Sequence, residues 1–282
     1  MSQTIPQLAG IGIRAPYFSP LLENPQPVGF VEAHSENYFG NSLSRDSLCK
    51  VRENYPVSLH GVGLSLGRAD GLDRKHLKQL KDLINDTNPF LVSEHLAWSG
   101  YQHRHAPDLL PVPYVESSLQ VFIDHVNQMQ DTLGRQILVE NPSNYLAFKT
   151  TNIEESQFLD RLAAETGCRI LLDVNNLYIS SRNVGIDPYY YISQIQPKHI
   201  GQFHLAGHIT SENGEDNFLI DSHNRQVADP VWELYEYCIQ TIGQRPTLIE
   251  WDSDYPAIEV LVSEAVKATE ILSRKGVFNE SA

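Results

Sequence analysis

Apolar residues in this chain fall into eight short runs, at 8–13, 28–34, 57–60, 90–95, 137–140, 170–173, 199–204 and 247–252. Runs of this length bounded by Gly, Pro, Asn or Ser read as strands buried on both faces. Between most of them the apolar period lengthens. Leu72, Leu77, Leu80, Leu83 and Ile84 follow a helical spacing, and the same holds over 42–53, 115–133, 153–166, 231–242 and 258–272. Gly167 stands where the helix ending at Thr166 needs a left-handed C′ residue. Residues 97–113, with His103, His105 and prolines 107, 111 and 113, read as a long loop. Strand and helix in alternation imply a parallel sheet. Eight such units in 282 residues match an α/β fold of the (β/α)8 TIM-barrel type, one domain over 1–282. An open doubly wound sheet is the alternative, but no G-x-G-x-x-G follows the first strand.

The polar residues give this pattern its meaning. His60, His95, Glu140, Asp173, His204 and Glu250 each follow an apolar run at the C-terminal end of successive strands three to eight. In a barrel that end forms the rim where active sites are built. Asp221 and His223 come from the connection after strand seven, and Asn176 stands three residues past Asp173. Singly, such a residue is more often a cap or a satisfied core group. Asp173 could close the turn at Val174-Asn175-Asn176, and Glu140 could be a turn acid before Asn141-Pro142. Jointly, ligand-type residues at one rim point to a multi-metal centre, with Glu140 as the expected bridging carboxylate. His208 reads as a supporting group just past strand seven. Asp252, two residues beyond Glu250, reads as a base or further ligand. His34 and Glu36 divide evenly between structure and site, while His76, His125 and His199 read as surface residues.

Composition narrows the partners. A net charge of −14 without a Lys/Arg run argues against nucleic acid. Three scattered cysteines, Cys49, Cys168 and Cys238, suit reduced thiols and a cytoplasmic setting. The N-terminus lacks the pattern of a signal peptide, and no apolar run is long enough for a bilayer, so no membrane association is expected. Two or three metals sharing carboxylates serve zinc- or manganese-dependent hydrolysis as well as iron-dependent O2 chemistry, and ligand type alone does not choose.

The order His60, His95, Glu140, Asp173, His204, Asp221-x-His223, Glu250 resembles the three-zinc site of endonuclease IV-type enzymes within the xylose-isomerase-like barrels. That group carries His where Asn176 stands. A longer resemblance spans nearly the whole chain. Glu32-Ala-His34-Ser-Glu36-Asn37-Tyr38, Leu59-His60-Gly-Val-Gly-Leu-Ser65, Ser93-Glu-His95-Leu-Ala-Trp98, Glu140-Asn-Pro-Ser143, His204-Leu-Ala-Gly-His208 and Ile249-Glu250-Trp-Asp252 are similar to the bacterial UPF0276 (MbnB/TglH-like) family. The resemblance implies two or three iron ions held by His60, His95, Glu140, Asp173, Asn176, His204, Asp221, His223 and Glu250. It implies O2-dependent modification of cysteine in a ribosomally synthesised precursor peptide, with a leader-recognising partner protein encoded nearby. Asp252 is then the candidate acid/base, with His208 beside it in the catalytic set. A metal-dependent phosphodiesterase and a non-catalytic peptide-binding protein are the competing expectations.

Overall fold

The computed structural model describes residues 8–102, 104–211 and 218–274. Eight parallel strands close into a barrel: β1 (Gly10–Gly12), β2 (Val31–His34), β3 (Val57–His60), β4 (Leu91–His95), β5 (Leu138–Glu140), β6 (Arg169–Asp173), β7 (Ile200–Leu205) and β8 (Thr247–Ile249). Each strand pairs with its sequence neighbour among the eight, and β1 pairs with β8 to close the ring. The expected (β/α)8 barrel is therefore the fold. Strand boundaries differ from the sequence expectation by up to three residues, because apolar residues such as Val28 are buried ahead of the ladder and Glu250–Asp252 turn away past its end.

Nine helices are described: α1 (Phe18–Glu23), α2 (Leu43–Asn54), α3 (Arg74–Thr87), α4 (Glu116–Leu133), α5 (Glu155–Thr166), α6 (Val174–Asn183), α7 (Pro188–Ser193), α8 (Asp229–Ile242) and α9 (Ile258–Ser273). Side chains cap the starts of α2, α3, α6 and α7. The Ser42 hydroxyl accepts from the Arg45 N–H, and Asp73 accepts from Lys75 and His76 N–H groups. Gly167 takes φ +71° at the end of α5, the left-handed turn that glycine adopts without cost. The inner faces of the long helices are aliphatic: α9 buries Leu261, Val262, Ala265, Ala268, Ile271 and Leu272. Each such Leu, Ile or Val contributes about 1.5–3 kcal/mol on burial.

The structure departs from the sequence expectation in several connections. Residues 97–113 are not one loop: Trp98–Tyr101 and Arg104–Leu110 pair as an antiparallel hairpin. The connection after β7 likewise holds a short antiparallel pair, Ile209–Thr210 with Leu219–Ile220. Alternating polarity and prolines hid the first, and two-residue strands are too short to carry a period. Helix α6 also begins directly after Asp173, with no loop before it, and neither α6 nor α7 shows in the apolar spacing.

Candidate metal centre

Strand register decides which side chains meet. It sets His34 beside His60, His95 beside Glu140, and Asp173 beside His204. Glu250 follows the last residue of β8, and its N–H is bonded to the Leu205 carbonyl of β7. The rim residues converge in three groups, within each of which the donor atoms lie within 4.8 Å of one another: His60, Glu140 and His204; Asp173, His223 and Glu250; His34, Glu250 and Asp252. The last two share Glu250, and His204 Nδ1 at 3.1 Å from Glu250 Oε2 joins the first to them. His95 adjoins the first group, with Nε2 at 3.3 Å from His60 Nε2 and 3.4 Å from Glu140 Oε2. Asn176 donates to Glu140 Oε1 at 3.2 Å, and Asp221 Oδ1 lies 2.6 Å from His223 Nε2. All nine ligand candidates thus stand in one connected cluster. Glu250, rather than Glu140, belongs to two of the groups.

The connection after β7 needs unusual backbone to deliver its pair. A Cβ on Gly207 would sit 2.2 Å from the Arg225 carbonyl oxygen, so only glycine lets these segments pass. The Gly207 carbonyl then accepts from the His223 N–H at 3.0 Å. His223 itself takes φ +44°, a left-handed conformation unfavourable for a residue with a Cβ. Strain of this kind concentrates at functional positions.

Asp173 serves two purposes. Its Oδ1 caps α6 by accepting from the Asn176 N–H at 2.6 Å, while its Oδ2 is buried with no hydrogen-bond partner. The same holds for Glu140 Oε2, Glu32 Oε1, Asn176 Oδ1 and His223 Nε2. Several of these atoms lie close to imidazole nitrogens yet off any hydrogen-bond axis: Glu140 Oε2 is 3.1 Å from His60 Nε2, and Glu32 Oε1 is 2.9 Å from His204 Nε2. Buried polar atoms are normally satisfied. Five orphaned donor atoms of ligating type, all on residues of this connected cluster or in contact with it, fit divalent cations. The remaining ring nitrogens are anchored as metal-binding imidazoles usually are, His60 Nδ1 on Ser93 Oγ at 2.7 Å and His95 Nδ1 on the Gly61 carbonyl at 2.9 Å.

The electrostatics agree. Burial and the Glu140 charge hold the Asp173 carboxyl well above its usual range. Burial opposes the charge on Glu32 too, but His204 and His60 draw it down to about 2. Burial likewise disfavours charged His95, and Glu140 with Glu94 nevertheless raises it to about 9. Asp173 is the carboxylate that the imidazoles leave unbalanced, a charge deficit that a bound dication would relieve.

Two residues of the site, Glu32 and Arg14, stand outside the ligand-type residues that close strands three to eight. Glu32 lies two residues before His34 on the same face of β2, and accepts from Ser58 Oγ and Gln202 Nε2, both at 2.7 Å. Its signal was present: a lone carboxylate between Val31 and Ala33. Arg14 is buried, contacts His34 Nε2 at 2.8 Å, and forms a very close ion pair with Asp252. His34 belongs to the site, with Nε2 3.2 Å from Glu250 Oε1. His208 stands outside the cluster. Its Nδ1 meets Asn175 Oδ1 at 2.8 Å, and Asn175 in turn donates to Asp221.

Of the three histidines read as surface residues, His199 is buried, while His76 and His125 are half-buried and partnered. His199 is buried against Asp160 at 2.6 Å, and His125 Nδ1 meets the Leu66 carbonyl at 2.7 Å. His76 forms a separate group with Glu36 and Glu94. There Glu36 accepts from Val62 and Gly63 N–H groups and Glu94 from Leu64, pinning the loop after β3. His105 is exposed on its hairpin, and His103 lies outside the described residues. Among the described residues no helix is long and apolar enough to cross a membrane.

A closed parallel barrel with its polar cluster at the strand C-termini defines a TIM barrel, and solved structures of that fold superpose over nearly the whole chain. The IolI protein with a bound zinc atom matches with a TM-score of 0.61 at 14% identity, covering 94% of this chain and 98% of that one. L-ribulose 3-epimerase matches with 0.61 at 15%, covering 95% and 96%. Sequence narrows the class further. Residues 8–273 match the family described as RiPP precursor modification enzyme MbnB/TglH/ChrH, and the chain belongs to it. A UPF0276 protein of Chromobacterium violaceum is 45% identical over 269 residues, 95% of this chain and 96% of the relative. One from Rhizobium meliloti is 43% identical, covering 95% and 87%.

Proposed function

We propose that this chain uses two or three iron ions and O2 to modify cysteine in a ribosomally synthesised precursor peptide, presented by a leader-recognising partner protein. The observation that carries the reading is the set of buried, unpartnered donor atoms on Glu32, Glu140, Asp173, Asn176 and His223. Membership of a precursor-modifying family supplies the substrate class. His60, His95, Glu140, Asp173, Asn176, His204, Asp221, His223 and Glu250 would hold the ions, with Glu32 added beside His204. Carboxylate and imidazole donors without thiolate suit ferrous iron, zinc and manganese alike.

When bound, iron supplies Lewis acidity toward sulfur and electrons for O2. The chain supplies position and proton handling. Asp252 is the most accessible carboxylate of the cluster, its side chain 30% exposed against 5% for Glu250. Burial and the Glu250 charge act to raise its pKa, but His223, His34 and Arg14 outweigh them and keep it below the usual range. An ionised Asp252 at the mouth would take the proton of an incoming thiol, while Arg14 holds the carboxylate in place. His208, through Asn175, would steady Asp221.

The test is metal analysis with Mössbauer spectroscopy on protein purified without air, followed by O2 uptake with a cysteine peptide and the partner protein. Two or three coupled irons per chain and peptide-dependent O2 consumption are expected. Zinc alone, as in the IolI structure, with no turnover after iron reconstitution, would replace this reading with a metal-dependent hydrolase.

A further inference from the structure

We propose that the N-terminal mouth of the barrel, opposite the metal centre, binds a compact, multiply charged oxyanion of the oligophosphate class. A cavity of about 1050 Å³ opens there, and Arg52, Arg135, Arg169, Lys198 and Arg245 all line it. These are five of the chain's 21 lysines and arginines, and no Asp or Glu is among the lining residues. Such a concentration of positive charge runs against a net charge of −14. Each comes from a different helix-to-strand connection: the last turn of α2, the turn after α4, the start of β6, and the turns before β7 and β8.

Arginines at this end of a barrel have an ordinary role, satisfying turn carbonyls. Three of these do so. Arg52 Nε donates to the Thr87 carbonyl at 2.9 Å, Arg135 to Pro89 and Phe90 at 2.9 and 3.0 Å, and Arg245 to Ile200 and Pro197 at 2.7 Å. Carbonyls fix the guanidinium groups in place without neutralising them. The arginine ion pairs among the described residues involve Arg14, Arg45, Arg68, Arg161, Arg225 and Arg274, none of which lines this cavity. Arg135 Nε is buried with no acceptor. Burial pushes Arg135 and Arg245 below their ordinary range, and the charge of Arg169 pushes Arg245 further. Uncompensated, preorganised cations in a concavity are an anion site awaiting its charge. Four of the five are arginines, whose planar forks match phosphate oxygens in pairs. A concave mouth favours a compact polyanion over an extended acidic peptide. The inference is independent of the chemistry proposed for the opposite rim.

The test is calorimetric titration of the full-length, metal-loaded protein with sodium tripolyphosphate at constant ionic strength. The Arg169→Glu/Lys198→Glu double variant is run in parallel. Both residues are exposed and make no carbonyl bonds of the kind above. Metal content is measured before and after, since chelation would affect both proteins equally. The expected result is saturable binding to the wild type that weakens about tenfold or more in the double variant. If the double variant fails to fold, Arg169→Gln/Lys198→Gln takes its place with the same expectation. Equal binding by both proteins overturns the proposal. So does tighter binding of a hexaglutamate peptide than of tripolyphosphate, which would make the mouth a docking surface for an acidic segment.

Discussion

The two mouths of this barrel handle charge in opposite ways. At the C-terminal mouth, carboxylates and imidazoles sit on strand ends and are buried: Asp173 and His204 are fully inaccessible, and Glu140 is 1% exposed. Their charges are balanced mainly against one another and against the Arg14 guanidinium, and several ligating atoms are left without a hydrogen-bond partner. At the N-terminal mouth, arginines sit in helix-to-strand connections, and Arg52, Arg135 and Arg245 are partly exposed and tied to neutral carbonyls. The difference follows from the strand itself. A parallel barrel presents its ladder interior at period two, so a strand end can aim a side chain at the axis. A helix-to-strand turn can only bring its side chain around the edge. The first geometry builds a closed donor set; the second builds an open electrostatic surface.

The strongest way to break this contrast is to remove a strand-end donor. His204→Ala should lower bound metal by at least one ion per chain and reduce peptide-dependent turnover to background, measured by elemental analysis and O2 uptake. Full metal content in this variant would take β7 out of the centre. Next in size is Arg14→Gln. Arg14 touches Asp252 without being a ligand candidate, so metal content should hold while turnover falls about 10- to 100-fold. Losing a neighbouring cation raises the Asp252 pKa, so the acid limb of the pH–rate profile should move to higher pH. An unmoved limb would separate Asp252 from proton transfer.

Asp173→Asn sharpens the energetic side. Asp173 has a raised folded-state pKa, so its contribution to stability is complete below the unfolded pKa and is lost as pH rises through the folded value. Metal-free Asp173→Asn protein should therefore be more stable than metal-free wild type at pH 8, by about 1–3 kcal/mol in denaturant melts. That advantage should vanish in acid, and binding of metal should be impaired throughout. The smallest effect belongs to the other mouth. Arg169→Glu relieves repulsion with Arg245, and should stabilise the protein in low salt by a few tenths of a kcal/mol, fading above ~0.5 M salt. Destabilisation instead would mean that Arg169 is already compensated.

Much of the upper mouth was legible without coordinates. The eight apolar runs, the helical spacing between them and a ligand-type residue closing each of strands three to eight are properties of the chain, because a strand's period and a helix's period are written locally. The family resemblance rests on the same local stretches. Register was not legible. Glu32 reads as one carboxylate inside an apolar strand until β2 is set beside β3 and Gln202 reaches across the barrel to it. Arg14 reads as the end of a strand until the ring closes β1 against β8 and brings Asp252 to it. His76 and His199 read as surface residues because the acids that bury them, Glu36 and Asp160, lie about 40 positions away in the chain. The lower mouth was hidden altogether. Its cations are single residues from five separate helix-to-strand connections of an acidic chain, and only barrel closure gathers them. What the sequence by itself determined was which strands carry donors to the rim, since alternation along a strand is local. Which donors share a point, and where the scattered arginines collect, only the tertiary structure decided, because both depend on register and closure between segments far apart in the chain.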